Sequence, residues 1–244
     1  MEKINPRVDI AFKKLFGAKE NKDLLISFIN AIVSQEDQVV DLELLNLYDQ
    51  QHFKEDRLSV LYIEAEGVSA KKFNLELQVT DEAAYSKRLT YYWSKLYAEV
   101  CSSPQGYVEP RKVIGIHILN FTSVTQSQQY HNAFGFIEKK SGRSYFGDLE
   151  LHTIELKKFT DAVGADEELS VLATKLQDSL DVWSTFLTRY EELSGLKALP
   201  PSLNKPELKK AIDVLNEMHF NAEEREAYEA HLKMLAHEAL LQQK

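Results

Sequence analysis

The sequence predicts an α/β fold: a mixed sheet entered through two short helices, interrupted by a third and followed by a helical tail. Three observations carry this prediction. Period-two alternation runs through residues 57–81, RLSVLYIEAEGVSAKKFNLELQVTD. A nearly continuous apolar segment, KVIGIHILNF, occupies residues 112–121. Helical spacing of apolar residues holds before residue 33 and again beyond residue 159.

Two opening helices are read from the N-terminal region. Ile10, Phe12, Leu15 and Phe16 fall at helical spacing, with Asn5 as cap, Pro6 at the first helical position and Gly17 at the end. Leu24, Leu25, Phe28, Ile29 and Ile32 form the buried stripe of a second helix, from about residue 21 to 33. Asp9 stands in the opening turns of the first, where an acid suits the helix dipole and a role in a site is also open.

A first strand is expected over Val39–Asp49, VVDLELLNLYD, and the central hairpin follows it. Side chains alternate along a strand, so Tyr62, Glu64 and Glu66 share one side while Leu61, Ile63 and Ala65 share the other. The second run repeats this, with Asn74, Glu76 and Gln78 on one side and Leu75, Leu77 and Val79 on the other. One face is oily and the other carries carboxylates and amides. Such an acid face holds a divalent cation or forms the wet side of an edge hairpin, and the hairpin alone leaves both open.

After Asp81 the period becomes helical through Leu89, Tyr92, Trp93, Leu96 and Val100. Arg88, Tyr92 and Lys95 are three or four apart and can line one edge of that helix, facing a groove. Aromatic residues at this spacing more often belong to a core. The apolar run at 112–121 reads as a strand buried on both faces, central in the sheet, with His117 as a core histidine. Strands are further expected over Ala133–Glu138 and Leu149–Leu156, where His152 and Glu155, three apart, face opposite ways, which argues against a shared metal. One long helix is expected from about 166 to 192, then a proline-marked linker and two helices. The last of these is charge-rich and suited to docking on a partner, on a second copy or on the body of the domain.

With 44% hydrophobic and 27% charged residues, the composition is that of an ordinary globular protein. No apolar run is long enough to span a bilayer and no leader is visible at the N-terminus, so a cytoplasmic protein without membrane partners is expected. The single cysteine excludes an internal disulfide and a cysteine-rich zinc site. A net charge of −9 argues against a protein that coats nucleic acid indiscriminately, but it leaves room for a local basic groove. Candidate clusters are Lys71 with Lys72, Lys87 with Arg88, Arg111 with Lys112, and Lys139 with Lys140 and Arg143, although such a cluster is more often just a solvated face. Phosphate-binding glycine loops, the GxSxG elbow, HExxH and EF-hand loops are all missing. Oxygen-ligand chemistry on the hairpin remains.

The order of segments resembles the Rpn family of recombination-promoting nucleases and transposases, within the PD-(D/E)xK nuclease superfamily. DIAFKKLFG at 9–17, SVLYIEA at 59–65, NLELQ at 74–78, RLTYYWSKLY at 88–97, VIGIHILNF at 113–121 and LHTIELKKF at 151–159 carry the likeness. It implies a restriction-endonuclease-like mixed sheet flanked by helices over residues 1–160, with a helical C-terminal extension over 161–244. It further implies a DNA endonuclease using Mg2+ or another divalent cation, Mn2+ or Ca2+. Carried over by motif position, Glu76 is a carboxylate ligand and Gln78 helps orient the attacking water; in such a protein the groove lined by Arg88, Tyr92 and Lys95 would be the one that meets DNA.

One departure stands out: Tyr62 occupies the position of the first catalytic Asp. A phenol with a pKa near 10 is a poor magnesium ligand at neutral pH. Three accounts follow. The protein is a DNA-binding relative with weakened or lost catalysis, Glu64 supplies the missing carboxylate and joins Glu76 at the metal, or residue 62 carries an introduced substitution. A protein-interaction scaffold is the reading from a different class.

Overall fold

The computed structural model describes residues 3–44, 60–67, 71–78 and 112–241, together with Thr90, Tyr91, Ser94, Tyr97 and Ala98. Through residues 60–78 the description is of the backbone and its pairing, with Leu75 the one side chain included.

Helix α1 spans Asp9–Phe16, three residues later than its sequence suggested. Asn5 does not cap it. The Asn5 Oδ1 accepts from the Arg7 backbone N–H at 2.9 Å, and its own N–H donates to the Tyr228 hydroxyl at 2.8 Å, so the side chain is committed to a turn ahead of the helix. Gly17 ends α1, its N–H donating to the Lys13 carbonyl. Helix α2 (Lys22–Asn30) buries Leu24, Leu25, Phe28 and Ile29, in agreement with its stripe.

Among the described residues six strands follow: β1 (Val39–Leu44), β2 (Val60–Gly67), β3 (Lys71–Gln78), β4 (Lys112–Leu119), β5 (His131–Ile137) and β6 (Ser144–Glu155). They form one sheet in the order β1-β2-β3-β4-β6-β5. The pairs β1/β2, β2/β3 and β5/β6 are antiparallel, whereas β3/β4 and β4/β6 are parallel, so the sheet is mixed as predicted. The apolar strand β4 lies between β3 and β6 and is buried along nearly its whole length, as its composition requires.

The helices α3 (Leu156–Val163), α4 (Leu169–Lys175), α5 (Ser179–Leu193), α6 (Pro206–Glu217) and α7 (Ala222–Leu241) follow the sheet, while the helix expected over 82–101 lies largely outside the described residues. The single helix expected over 166–192 is two, because Leu176 is extended and Asp178 starts a new helix by accepting from the Asp181 N–H at 2.9 Å. Gly164, with φ of 97°, closes α3 in a conformation that disfavours any other residue.

Leu75, Ile114, Ile116, Ile118 and Ile154 point into one core with Phe12, Phe16 and Phe28 of the opening helices and Trp183 of α5. The Trp183 ring lies 5.7 Å from Phe16 and 5.5 Å from Phe28. Burying each such aromatic contributes about 1.5–3 kcal/mol, so this cluster fastens the opening helices to the tail. The apolar face of α7 is likewise used within the chain. Tyr228, 1% exposed, and Leu235 pack on Val8 and Ala11, and Lys14 Nζ sits 2.7 Å from Glu224. Of the docking modes open to this helix, the structure has it on the body of its own domain. No described helix is long and apolar enough to cross a membrane.

Candidate metal and nucleic-acid site

The β2–β3 register defines the geometry of the acid face. Tyr62 pairs with Asn74, Val60 with Glu76, and Glu64 with Lys72. In an antiparallel pair the diagonal neighbour lies about 7–8 Å away, and that is the relation of position 62 to position 76. Glu64 is two pairs further on: its partner Lys72 is four residues from Glu76, about 13 Å along the strand.

The parallel pairing carries these rows across the sheet. Glu76 is in register with His117, which is in register with Thr153. Asn74 is in register with Gly115 and Leu151. His117 is 1% exposed, which fits a core histidine, yet the register also sets it beside Glu76. Its ring leans over Gly115, where an added Cβ would come within 2.9 Å of Leu151 Cδ1 and 3.4 Å of His117 Nε2. A side chain at residue 115 would therefore push the end of Leu151 aside and press on the His117 ring. The adjacency of His117 to Glu76 was missed from sequence because it depends on which strand lies beside β3.

Gln78 pairs with Leu119, the last residue of β4, and Asn120 follows directly. Asn120 Oδ1 accepts from Arg7 Nη1 at 3.1 Å, which brings the segment leading into α1 to the Gln78 end of the sheet. Asp9 begins α1 there. Its N–H donates to His231 Nδ1 at 3.1 Å, and its Oδ1, buried without a hydrogen bond, lies 3.3 Å from Lys13 Nζ. Arg88, Tyr92 and Lys95 lie outside the described residues.

The basic clusters have different fates. Lys112 is committed: its Nζ is 2.6 Å from both Asp37 Oδ2 and Glu150 Oε2. Lys139, Lys140 and Arg143 are exposed at the turn between β5 and β6. Lys87, Arg88 and Arg111 lie outside the described residues, as do the side chains of Lys71 and Lys72.

A second polar cluster occupies the core side of β6, the side opposite the acid face. His152 Nε2 lies 2.7 Å from Glu150 Oε1, and His152 Nδ1 lies 2.9 Å from His131 Nε2. A carboxylate only accepts, so with both rings neutral His152 carries its proton on Nε2 and His131 donates from Nε2. The hydrogen bond from His152, followed by that from Lys112, holds the Glu150 carboxyl down at about 2. Burial, then the neighbouring His152, brings His131 down to about 4. Glu155, fully buried, belongs to neither site: it accepts from the backbone N–H groups of Ser123 and Val124 and pairs with Lys158. His152 and Glu155 thus have separate partners, as their spacing required.

Among the described residues, no three His, Cys, Asp or Glu side chains cluster as a metal site. The donors available to a divalent cation are those that the register assembles. Glu76 and Gln78 occupy alternate positions of one strand, with His117 in register with the first. Carboxylate and amide oxygens suit a hard cation that keeps several waters, and one or two carboxylates are sufficient for magnesium.

No curated protein and no solved structure matches the chain. A family model described as PD-(D/E)XK nuclease family transposase matches residues 6–243, which takes in the sheet, the candidate hairpin and the helical tail together. With a mixed sheet in which the acid hairpin lies beside the buried parallel strand, the chain belongs to the PD-(D/E)XK nuclease family of transposases.

Proposed function

We propose that this protein acts on DNA through a hydrolytic centre on the β2–β3 hairpin, organised by Glu76 and Gln78 and weakened by Tyr62. The observation that carries the reading is the register: position 62 is the diagonal neighbour of Glu76, whereas Glu64 is four register positions away. The pairing favours residue 62 over Glu64 as the place where a second carboxylate would complete the site.

A divalent cation, Mg2+ or Mn2+, supplies polarisation of the scissile phosphate and a lowered pKa for the attacking water when bound. Glu76 would hold it through its carboxylate, and the Gln78 amide would orient the water. Tyr62, protonated at neutral pH, contributes a hydrogen-bonding hydroxyl where an anionic ligand belongs. Hydrolysis is therefore slow while DNA binding persists.

Nicking of supercoiled plasmid in Mg2+, Mn2+ or Ca2+ tests this. Tyr62→Asp should raise the rate about ten-fold or more over the parent, the effect of lowering the barrier by about 1.4 kcal/mol. Glu76→Ala should abolish nicking in the parent and in the Tyr62→Asp background. No gain from Tyr62→Asp together with no loss from Glu76→Ala would make the catalytic reading wrong. If the parent has no affinity for DNA even at low salt, the protein-interaction scaffold is the better account.

A further inference from the structure

The outer half of the β5–β6 hairpin differs from the rest of the described surface. Phe134, Phe136, Ile137, Tyr145 and Phe146 are all exposed there, Tyr145 at 80% and Phe146 at 53%. Isolated exposed apolar residues need no explanation, but five on one short hairpin form a patch of the kind that marks a binding surface.

The pairing explains how the patch arises. Gly135 pairs with Glu150, but Phe136 pairs with Phe146 and Ile137 with Ser144. Gly147, Asp148 and Leu149 are thus extra between the first two pairs, and Tyr145 is extra between the last two. Such bulges bend a strand and re-aim its side chains. The Tyr145 and Phe146 rings, adjacent in sequence and on opposite sides of a regular strand, here sit 4.5 Å apart, and Phe136 meets Phe146 at 6.2 Å.

The turn is fixed and cationic. Gly142 has φ of 68°, and its N–H donates to the Glu138 carbonyl. The Glu138 carboxylate accepts from the N–H groups of Lys140 and Ser141 at 2.9 and 2.7 Å, so the one acid of the turn is spent on the backbone. Lys139, Lys140 and Arg143 are exposed, and none forms an ion pair with a described carboxylate.

We infer that this arm is a nucleic-acid clamp: Lys139, Lys140 and Arg143 hold backbone phosphates while Tyr145, Phe146 and Phe136 stack on the bases of an unpaired DNA strand. The inference rests on the DNA reading proposed above. Unpaired cations beside exposed aromatic rings are the combination that single-stranded DNA requires, since each base offers a π face and each phosphate a charge. Pairing with a second copy through the β5 edge fits less well, because bulges on an edge hairpin disrupt strand-to-strand addition. The arm leaves the sheet one row from Glu76 and extends away from the Glu76–Gln78 end, so a bound strand would run along the sheet from one to the other. Phe134 is in register with Leu151, which is in register with Gly115 and through it Asn74. From that row, about 14 Å across the sheet from β3, the arm runs on about 15 Å toward the end where β3 and β4 begin.

Fluorescence anisotropy with a labelled single strand and the matching blunt duplex, over a range of salt, tests the assignment alongside light scattering for oligomeric state. The triple variant Lys139→Ala, Lys140→Ala, Arg143→Ala should lower the slope of log affinity against log salt by about 2 on the single strand. The double variant Tyr145→Ser, Phe146→Ser should weaken single-strand binding about five-fold or more per stacked base and change duplex binding less than about two-fold. If the parent binds DNA and both variants match it, the clamp is refuted while the DNA reading stands. If the parent binds neither probe at low salt, both fall. If the aromatic variant converts a dimer to a monomer with DNA binding unchanged, the arm is a self-association surface and the clamp is refuted.

Discussion

At the scale of the residue, the histidine pair on β6 and β5 makes the protein's stability depend on pH. His131 is half-buried and faces His152, with Glu150 beyond that ring and Asp178 also nearby. Its pKa falls from 6.5 to about 4 on folding, so between those values the unfolded chain binds the extra proton. Stability is therefore full above about pH 6.5 and declines as the pH falls toward 4. Glu150, held at about 2, stays ionised through this window, and its own contribution is lost only below about pH 4.5. Melting temperature measured from pH 7 to 4 should fall, and His131→Gln, which keeps a hydrogen-bonding group but removes the proton site, should flatten the curve. An equally steep fall in the variant would place the titration elsewhere. Tyr62 belongs to the same scale: in the proposed function, the residue at this one position sets whether a second carboxylate stands diagonal to Glu76.

At the scale of the element, α5 depends on Trp183. It is 3% exposed and makes ring contacts with Phe16, Phe28 and Phe186, while its Nε1–H donates to Ser27 Oγ at 3.3 Å. Trp183→Ala removes the wedge between the opening helices and α5 and should cost about 3–5 kcal/mol in chemical denaturation. A cost under about 1 kcal/mol would mean that the cavity collapses and that α5 is held by other contacts. The break between α4 and α5 shows how far sequence reading reaches. Leu169, Leu172 and Leu180 kept helical spacing across it, so the stripe read as one helix. The signal against it was local: Asp178 followed by Ser179 is a helix-start pattern, and the Asp178 side chain does cap α5. Asn5 is the converse case, since its cap-like position was overridden by a long-range bond to Tyr228.

At the scale of the whole molecule, the sheet and the tail helices bury side chains in one hydrophobic cluster. Leu172, Trp183, Phe186, Leu208 and Ala211 join Phe16, Phe28 and Ile116 there, although their positions fall on either side of residue 160. A chain ending at Phe159 would leave Phe16 and Phe28 without the Trp183 ring and Val8 without Tyr228. Such a truncation should be aggregated or lack a cooperative melting transition. A soluble fragment with a sharp transition would instead favour an independent core over residues 1–160 and an appended extension.

The alternation of the acid hairpin, the buried character of β4, the stripes of α1 and α2, and the order of motifs that carries the family likeness are all legible in the linear chain. Each of these is a local pattern, set by a period of two or 3.6 residues or by residues within a few positions of one another. Tertiary structure decided the rest. That Glu76 lies beside His117 follows from β4 being the parallel neighbour of β3, and that Tyr62 rather than Glu64 is diagonal to Glu76 follows from one antiparallel register. That Lys112 is neutralised while Lys139, Lys140 and Arg143 are free to meet an anion depends on contacts 38 and 75 residues away in the chain. Composition cannot distinguish these lysines. The sheet does, because pairing between distant strands chooses which charges meet a partner and which are left facing solvent.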